Sequence, residues 1–453
     1  MDYKSNIEAL KNSMNMNGKT AKHTINKKAP FLPFKTREPE RAKFKRGFLG
    51  VSGEVGRFIT GKKLSKDMNL EDSIDKIVSE VRCDNEEDLL YLKKLISEYL
   101  MTQDGDLNIF HAFILQYVKF TEGSEAKGEE SIARFIYDVI LNRNSNLKRI
   151  FENKNSENII IKLILEKLDT LEDRKEEDLY INNLDFISKV ANEDLEFMMN
   201  HEEFFLKNFQ NILAYYYFYY ITQLVVKLNK KSKADYTIPE EIYYLLDSEK
   251  ASNNRRSVNK GYKLIKNESR NLLVNINLIE HLNFIFNKEG ENFKGIYDLY
   301  QSMNEIEKRE VVEDLNEWIQ IYRQYFNLEA IDSEFNYESL VRDLYSSLYE
   351  QLDEATISRY SLAIETIGKK YFLKRRGVHG YMLNMTQEML LLITAVSIKE
   401  EKITLKALFS EYERRGIFLD QYSKEVVVEL LSKLNLIDKK SDSGDAQYVK
   451  AIL

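Results

Sequence analysis

Five histidines, a single cysteine and one acid-acid-lysine triplet are the residues of this chain with the widest chemical range. The histidines are His23, His111, His201, His281 and His379. No two lie within four positions of each other, so no single helix turn offers paired imidazoles to a metal. Cys83 stands alone. It forms neither a cysteine-rich zinc set nor an internal disulfide, and a lone thiol fits a reducing compartment, so a cytoplasmic location is expected. Glu400-Glu401-Lys402 has the acid-plus-lysine content of a metal-dependent nuclease. Among 73 acidic side chains such a triplet arises by chance, and it reads as surface. Gly50 and Gly56 are separated by five residues and followed by Arg57-Phe58, whereas a phosphate-binding loop needs four residues and then Gly-Lys-Ser/Thr. The glycine cluster Gly47, Gly50, Gly53, Gly56 and Gly61 therefore reads as a mobile hinge. There is no Gly-x-Ser-x-Gly elbow. The expectation is a protein that is not an enzyme, with no catalytic residue, metal or cofactor assigned.

Charge is the more informative signal. The net charge is −7, yet residues 19–63 hold 13 bases against three acids, which leaves a basic stretch on an acidic body. Its candidates for phosphate contact are Lys43, Lys45, Arg46, Arg57, Lys62 and Lys63. Such asymmetry suits either an arm that meets a polyanion or an arm folded back on its own acidic body. Two further basic stretches follow. Lys250–Arg270 has seven bases and one acid, with Arg255, Arg256, Lys260 and Lys263 as candidates. Thr366–Gln387 has no acid and interleaves Lys374, Arg375 and Arg376 with Tyr371, Phe372 and Tyr381. Bases among aromatics suit backbone contact plus stacking on a nucleic acid; the other reading is a solvated linker.

The elements that must position these residues are helical. The chain has 453 residues and only four prolines, Pro30, Pro33, Pro39 and Pro239, so the helix breaker is absent from 40–238 and 240–453. Residues 1–40 read as a flexible arm, with Pro30-Phe-Leu-Pro33 as a short extended anchor. Apolar residues at helical spacing predict helices around Ile74–Val81, Leu89–Tyr99, Phe113–Val118, Ile132–Ile140 and Ile160–Leu168. Asp84 with Glu87 reads as a helix-opening pair. Residues 208–226 are uncharged and rich in tyrosine. Tyrosine avoids the bilayer centre, so this run predicts a buried central helix with its hydroxyls bonded to neighbours, and no membrane association. Pro239 suits the first turn of a helix over 240–246. Further helices are expected at 271–287, 304–326 and 337–352, with Trp318 as a core anchor. Four regions result: a basic arm (1–63), a helical domain (64–235), a second helical region (236–367) and a basic linker with a terminal domain (368–453).

The terminal domain reads as a winged helix-turn-helix: a helix opened by Thr404 and ended at Gly416, a second from Ser423 to Leu434, and a β-hairpin around Ser441-Asp-Ser-Gly-Asp445. The fold class is therefore mainly α, a multi-domain helical body with a C-terminal winged helix carrying a small β-hairpin. Arg414, Arg415, Lys439 and Lys440 are its phosphate candidates. Residues 388–453 nonetheless hold ten bases and eleven acids, without the basic footprint of a DNA reader, so a protein-binding wing is an equal alternative.

The string Phe409-Ser-Glu-Tyr-Glu-Arg-Arg-Gly416 and the following Leu434-Asn-Leu-Ile-Asp-Lys-Lys-Ser-Asp-Ser-Gly-Asp-Ala-Gln-Tyr-Val449 resemble the DNA phosphorothioation-dependent restriction protein DptG (DndG) family. The resemblance covers the last fifth of the chain and extends only in general build to the rest. It implies a subunit of a bacterial defence complex that works with an ATPase and a helicase-like ATPase on DNA lacking sulfur in its backbone. Motor and cleavage motifs would then lie in the partners. The expectation is a non-enzymatic adaptor that bridges those subunits and contacts duplex DNA. The alternative is a transcription regulator with a helical sensor domain and a ligand pocket beside the tyrosine-rich helix.

Overall fold

The computed structural model describes residues 3, 5–18, 21, 23, 30–35, 37–65, 68–103, 106–168, 170–175, 179–247, 255–377, 380–439 and 447–453. The protein is mainly α-helical, with a few strands of two to four residues. Its axis is the helix Glu202–Lys230, in which every residue from Ile212 to Leu228 is buried. A helix apolar on all sides can only sit inside other helices. Here the helices Leu49–Thr60, Asp185–Met199, Leu272–Ile285, Glu354–Tyr371 and Gln387–Ile398 touch it. Its tyrosines need partners for their hydroxyls. Tyr216 donates to Asp194 at 2.5 Å, Tyr215 to the Arg415 carbonyl at 2.5 Å, and Tyr220 to Asn182 at 3.2 Å. No helix among the described residues is long and apolar enough to cross a membrane.

The expected hinge at the glycine cluster is instead the helix Leu49–Thr60, with all but its first residue buried. Gly50, Gly53 and Gly56 recur every third position and let it sink into its neighbours. A Cβ on Gly53 would stand 2.8 Å from the Leu115 carbonyl oxygen and 2.8 Å from Val118 Cβ. The described part of the expected flexible arm is also packed. The helix Ile7–Ser13 lies on the helix Leu272–Ile285, and Phe31, Leu32 and Phe34 of the proline-flanked anchor are buried.

One apolar core takes side chains from Ile7 to Val449, drawing on all four expected regions. A second, smaller core is built by the helices Leu70–Ser79, Glu86–Leu100 and Ile159–Lys167 around Ile77, Ile96, Leu100 and Ile164. Asn85, one residue later than expected, caps the middle helix by accepting from the Asp88 amide. The helices Leu272–Ile285, Glu305–Tyr325 and Tyr337–Gln351 fall where their spacing put them, with Trp318 fully buried. The expected helix over 240–246 is absent. Tyr243–Tyr244 instead forms a short parallel pair with Phe418–Leu419, while the Gln223 side chain holds Glu240 through its amide and carbonyl. The boundary expected at 367/368 falls inside the helix Glu354–Tyr371.

At the C-terminal end, the helices Gln387–Ile398, Leu405–Arg414 and Gln421–Lys433 surround a three-stranded antiparallel sheet. Its strands lie in the order Ile403–Thr404, Gln447–Val449, Ile437–Lys439. Thr404 and Asp420 cap the second and third helices by accepting from the Ala407 and Ser423 amides. The turn at 440–446, the tip of the expected hairpin, lies outside the described residues.

Candidate polyanion-binding surface

Over residues 37–63 the basic N-terminal stretch is folded back on the acidic body. Lys43 lies 3.6 Å from Glu38, Lys45 3.3 Å from Glu125 and Arg46 2.8 Å from Asp106. Lys62 and Lys63 pair at 2.6 Å and 3.0 Å with Asp173 and Glu172 across a two-residue antiparallel ladder. Each lysine holds its partner carboxyl below the ordinary range, first through the hydrogen bond and then through its charge. Arg57 is sealed inside. Its Nε donates to Glu54 at 2.5 Å and its Nη1 to the Gln116 and Val118 carbonyls, so it cannot meet a phosphate.

The arginines of the C-terminal segment are also paired with acids of the body, Arg414 at the surface and Arg415 in the interior. Arg414 donates to both carboxylate oxygens of Glu193 at 2.7 Å. Arg415 has no exposed side-chain surface and donates to Asp194 at 2.6 and 2.8 Å and to Glu411 at 2.6 Å. Burial works against the Arg415 charge, but the adjacent Asp194 carboxylate outweighs it and holds the guanidinium pKa well above its ordinary value. These arginines dock the terminal helices onto the helix Asp185–Met199. The sequence did not single out Asp194 or Glu193, since only the fold brings them to positions 221 residues downstream.

The two remaining basic stretches, far apart in sequence, meet. Residues 255–270 form the short helices Arg255–Asn259 and Tyr262–Glu268. The strands Leu373–Arg376 and Gly380–Leu383 pair antiparallel as the two arms of a β-hairpin, in place of a solvated linker. Tyr262 meets Tyr381 edge to face at 6.4 Å, and Met382 packs with Leu245 and Val258. Lys263, Lys266 and Arg270 are exposed at successive turns of one helical face, and Lys374 and Arg375 are exposed on the hairpin. No carboxylate among the described residues pairs with Lys374, Arg375 or Arg376, and Arg376 Nη1 is closed off from solvent with no hydrogen-bond partner there. Arg256 and Lys260 are partly neutralised by Glu241, and Lys369 by Glu365. Between these helices and Glu354–Tyr371 runs an open cleft of about 520 Å³, lined by Lys266, Arg270, Ser269, Ser358, Ser361, Tyr349 and the acids Glu354 and Glu365. Arg255 opens its short helix and Lys439 ends its strand; Lys440 lies outside the described residues.

No group of three or more metal-ligating side chains assembles among the described residues. Glu400 and Glu401 line an open polar cleft together with Glu193, Glu196, Arg149 and Lys399. The cavity beside Tyr217 of the central helix measures about 10 Å³, too small for a ligand. No protein-family model and no curated protein was found to match this chain.

Proposed function

We propose that this chain is a non-enzymatic, helical adaptor of the DNA phosphorothioation-dependent restriction type, working in the cytoplasm. It bridges an ATPase and a helicase-like subunit and contacts the DNA backbone. The DNA contact is carried by one observation: the helix Tyr262–Glu268, which bears the exposed Lys263 and Lys266, packs against the hairpin that bears Lys374 and Arg375, two exposed bases with no carboxylate partner among the described residues. Phosphate contacts by lysine and arginine give affinity without sequence information, as a bridging subunit requires. The resemblance of the last fifth of the chain to the DptG family supplies the biological setting.

In this reading the C-terminal segment is a winged helix docked onto the helical body, with its arginines engaged by acids of that body. The first turn of its third helix holds a buried Ser423 whose hydroxyl accepts from the Leu246 amide, and Arg414 and Arg415 are held by Glu193 and Asp194. The wing is then a protein-docking element rather than a DNA reader.

Fluorescence anisotropy with unmodified and phosphorothioated duplexes across a salt series tests the DNA contact. The expected result is sequence-independent binding with a steep salt dependence. Lys374→Glu/Arg375→Glu and Lys263→Glu/Lys266→Glu should each weaken binding about tenfold and lower the log–log salt slope by about one for every phosphate the variant no longer neutralises. Lys43→Glu/Lys45→Glu should leave it unchanged. Equal binding by all three variants removes the surface from the mechanism.

A further inference from the structure

The helix Glu86–Leu100 carries apolar side chains on two faces, and one face lies outside the core it helps to build. Leu89, Leu92, Ile96, Tyr99 and Leu100 face the small core formed with Leu70–Ser79 and Ile159–Lys167. On the opposite side Leu90 and Tyr91 are each 67 % exposed and Leu95 is 39 % exposed. At about 100° per residue these three fall within an arc of about 140°, where they interleave with the exposed Glu87, Lys94 and Glu98. Single exposed apolar residues are ordinary, but three on one helix face form a patch that water covers at a cost. Because this helix belongs to a core separate from the main one, its outer face is spare for the stability of the body.

Charge decides what fits there. Residues 70–100 hold nine acidic against four basic side chains. The patch is approached across Glu86, Glu87 and Asp88 in the first turn of the helix. The helix's own lysines are engaged, Lys93 with Asp75 and Lys94 with Glu98. Apolar anchors interleaved with the carboxylates Glu87 and Glu98, and with a lysine that Glu98 already engages, are the complement of an amphipathic helix with leucine-type anchors and lysine or arginine beside them.

We infer that the outer face of this helix, centred on Leu90, Tyr91 and Leu95, docks a basic amphipathic helix of a partner protein. This site is remote in sequence and opposite in charge to the candidate DNA surface, and it stands whether or not that surface binds DNA.

The test uses the full chain and a fluorescein-labelled synthetic peptide of about 18 residues, five helical turns, with leucines at i, i+3, i+4 and i+7 and lysines elsewhere. A second peptide of the same composition has its leucines spread around the helix. The patterned peptide should bind about tenfold more tightly or better, as anchor burial predicts. The exposed-surface variant Leu90→Ala/Tyr91→Ala/Leu95→Ala should lose that advantage with an unchanged melting temperature. Hydrogen exchange should slow in residues 86–100 on binding. Equal affinity for the two peptides reduces the site to plain acidity and overturns the inference. So does unchanged binding by the triple variant. Self-association of the chain that the triple variant abolishes assigns the face to a second copy instead.

Discussion

At the scale of single residues, Arg415 and Asp194 form the most consequential contact. Both side chains are fully buried, and Asp194 also accepts from Tyr216. Taking one partner away leaves a charge in a low-dielectric interior, whereas replacing both with apolar groups does not. Asp194→Asn should therefore destabilise the fold by about 3–5 kcal/mol in denaturant titrations, and Asp194→Leu/Arg415→Met by clearly less. Two buried imidazoles give a pH signature. Burial lowers His281 to about 3 and His23 to about 4. His281 Nδ1 accepts from Trp318 Nε1 at 3.2 Å, and His23 Nε2 lies 2.5 Å from the Tyr322 hydroxyl. Both folded pKa values lie below the unfolded value of about 6.5. Their contribution is thus intact above pH ~6.5, and stability falls as the pH drops from there toward 4 and 3, because the unfolded chain takes up protons that the folded chain refuses. His281→Gln, which keeps an acceptor for Trp318, should flatten the fall in denaturation midpoint between pH 7 and 4; an unaltered slope would remove His281 as its source. Neither network is visible in the sequence. Histidine spacing speaks only to local metal pairs, and the acids that hold the arginines are known only once the helices are packed.

At the scale of elements, the helix Leu49–Thr60 sets two effects of glycine against each other. Alanine improves helix propensity by about 1 kcal/mol. At Gly53 its methyl would stand 2.8 Å from the Leu115 carbonyl oxygen, and overpacking costs about 1–3 kcal/mol. Backbone cannot swing aside as a side-chain tip can, so Gly53→Ala should lower the melting temperature; a rise would mean that the helices can separate. The same glycines explain why this element is illegible in the sequence. Local propensity argues against a helix there, and only the surfaces it enters argue for one. The helices with a single apolar stripe, such as Leu70–Ser79 and Tyr337–Gln351, are legible because periodicity alone encodes their burial. The absent helix at 240–246 shows the converse. Pro239 is compatible with a helix start, but a two-residue pairing with Phe418 and Leu419 depends on a partner some 175 residues away.

At the scale of the whole molecule, charge asymmetry has two readings, and the folded-back one describes residues 37–63: Lys45, Arg46, Lys62 and Lys63 pair with Glu125, Asp106, Asp173 and Glu172 of the body, while Lys43 and Arg57 pair with acids of the stretch itself. The two later stretches form the candidate surface because a hairpin and a pair of short helices converge, which no one-dimensional charge count reveals. Removing residues 1–60 should accordingly abolish cooperative unfolding of the remainder, seen as a broadened calorimetric transition, since it strips a helix buried at all but its first residue from the main core. A sharp transition in the truncated chain would make this segment an accessory. The same architecture sets a timetable for synthesis. The Tyr3 hydroxyl donates to Asp314, and the helix Ile7–Ser13 rests on Leu272–Ile285. At roughly 5–20 residues per second the ribosome delivers that cover only some 15–60 s after the segment itself emerges. Through that interval Ile7, Leu10, Phe31, Leu32 and Phe34 face solvent on a nascent chain, a standing demand for chaperone capture that ends only when the far half of the protein has been made.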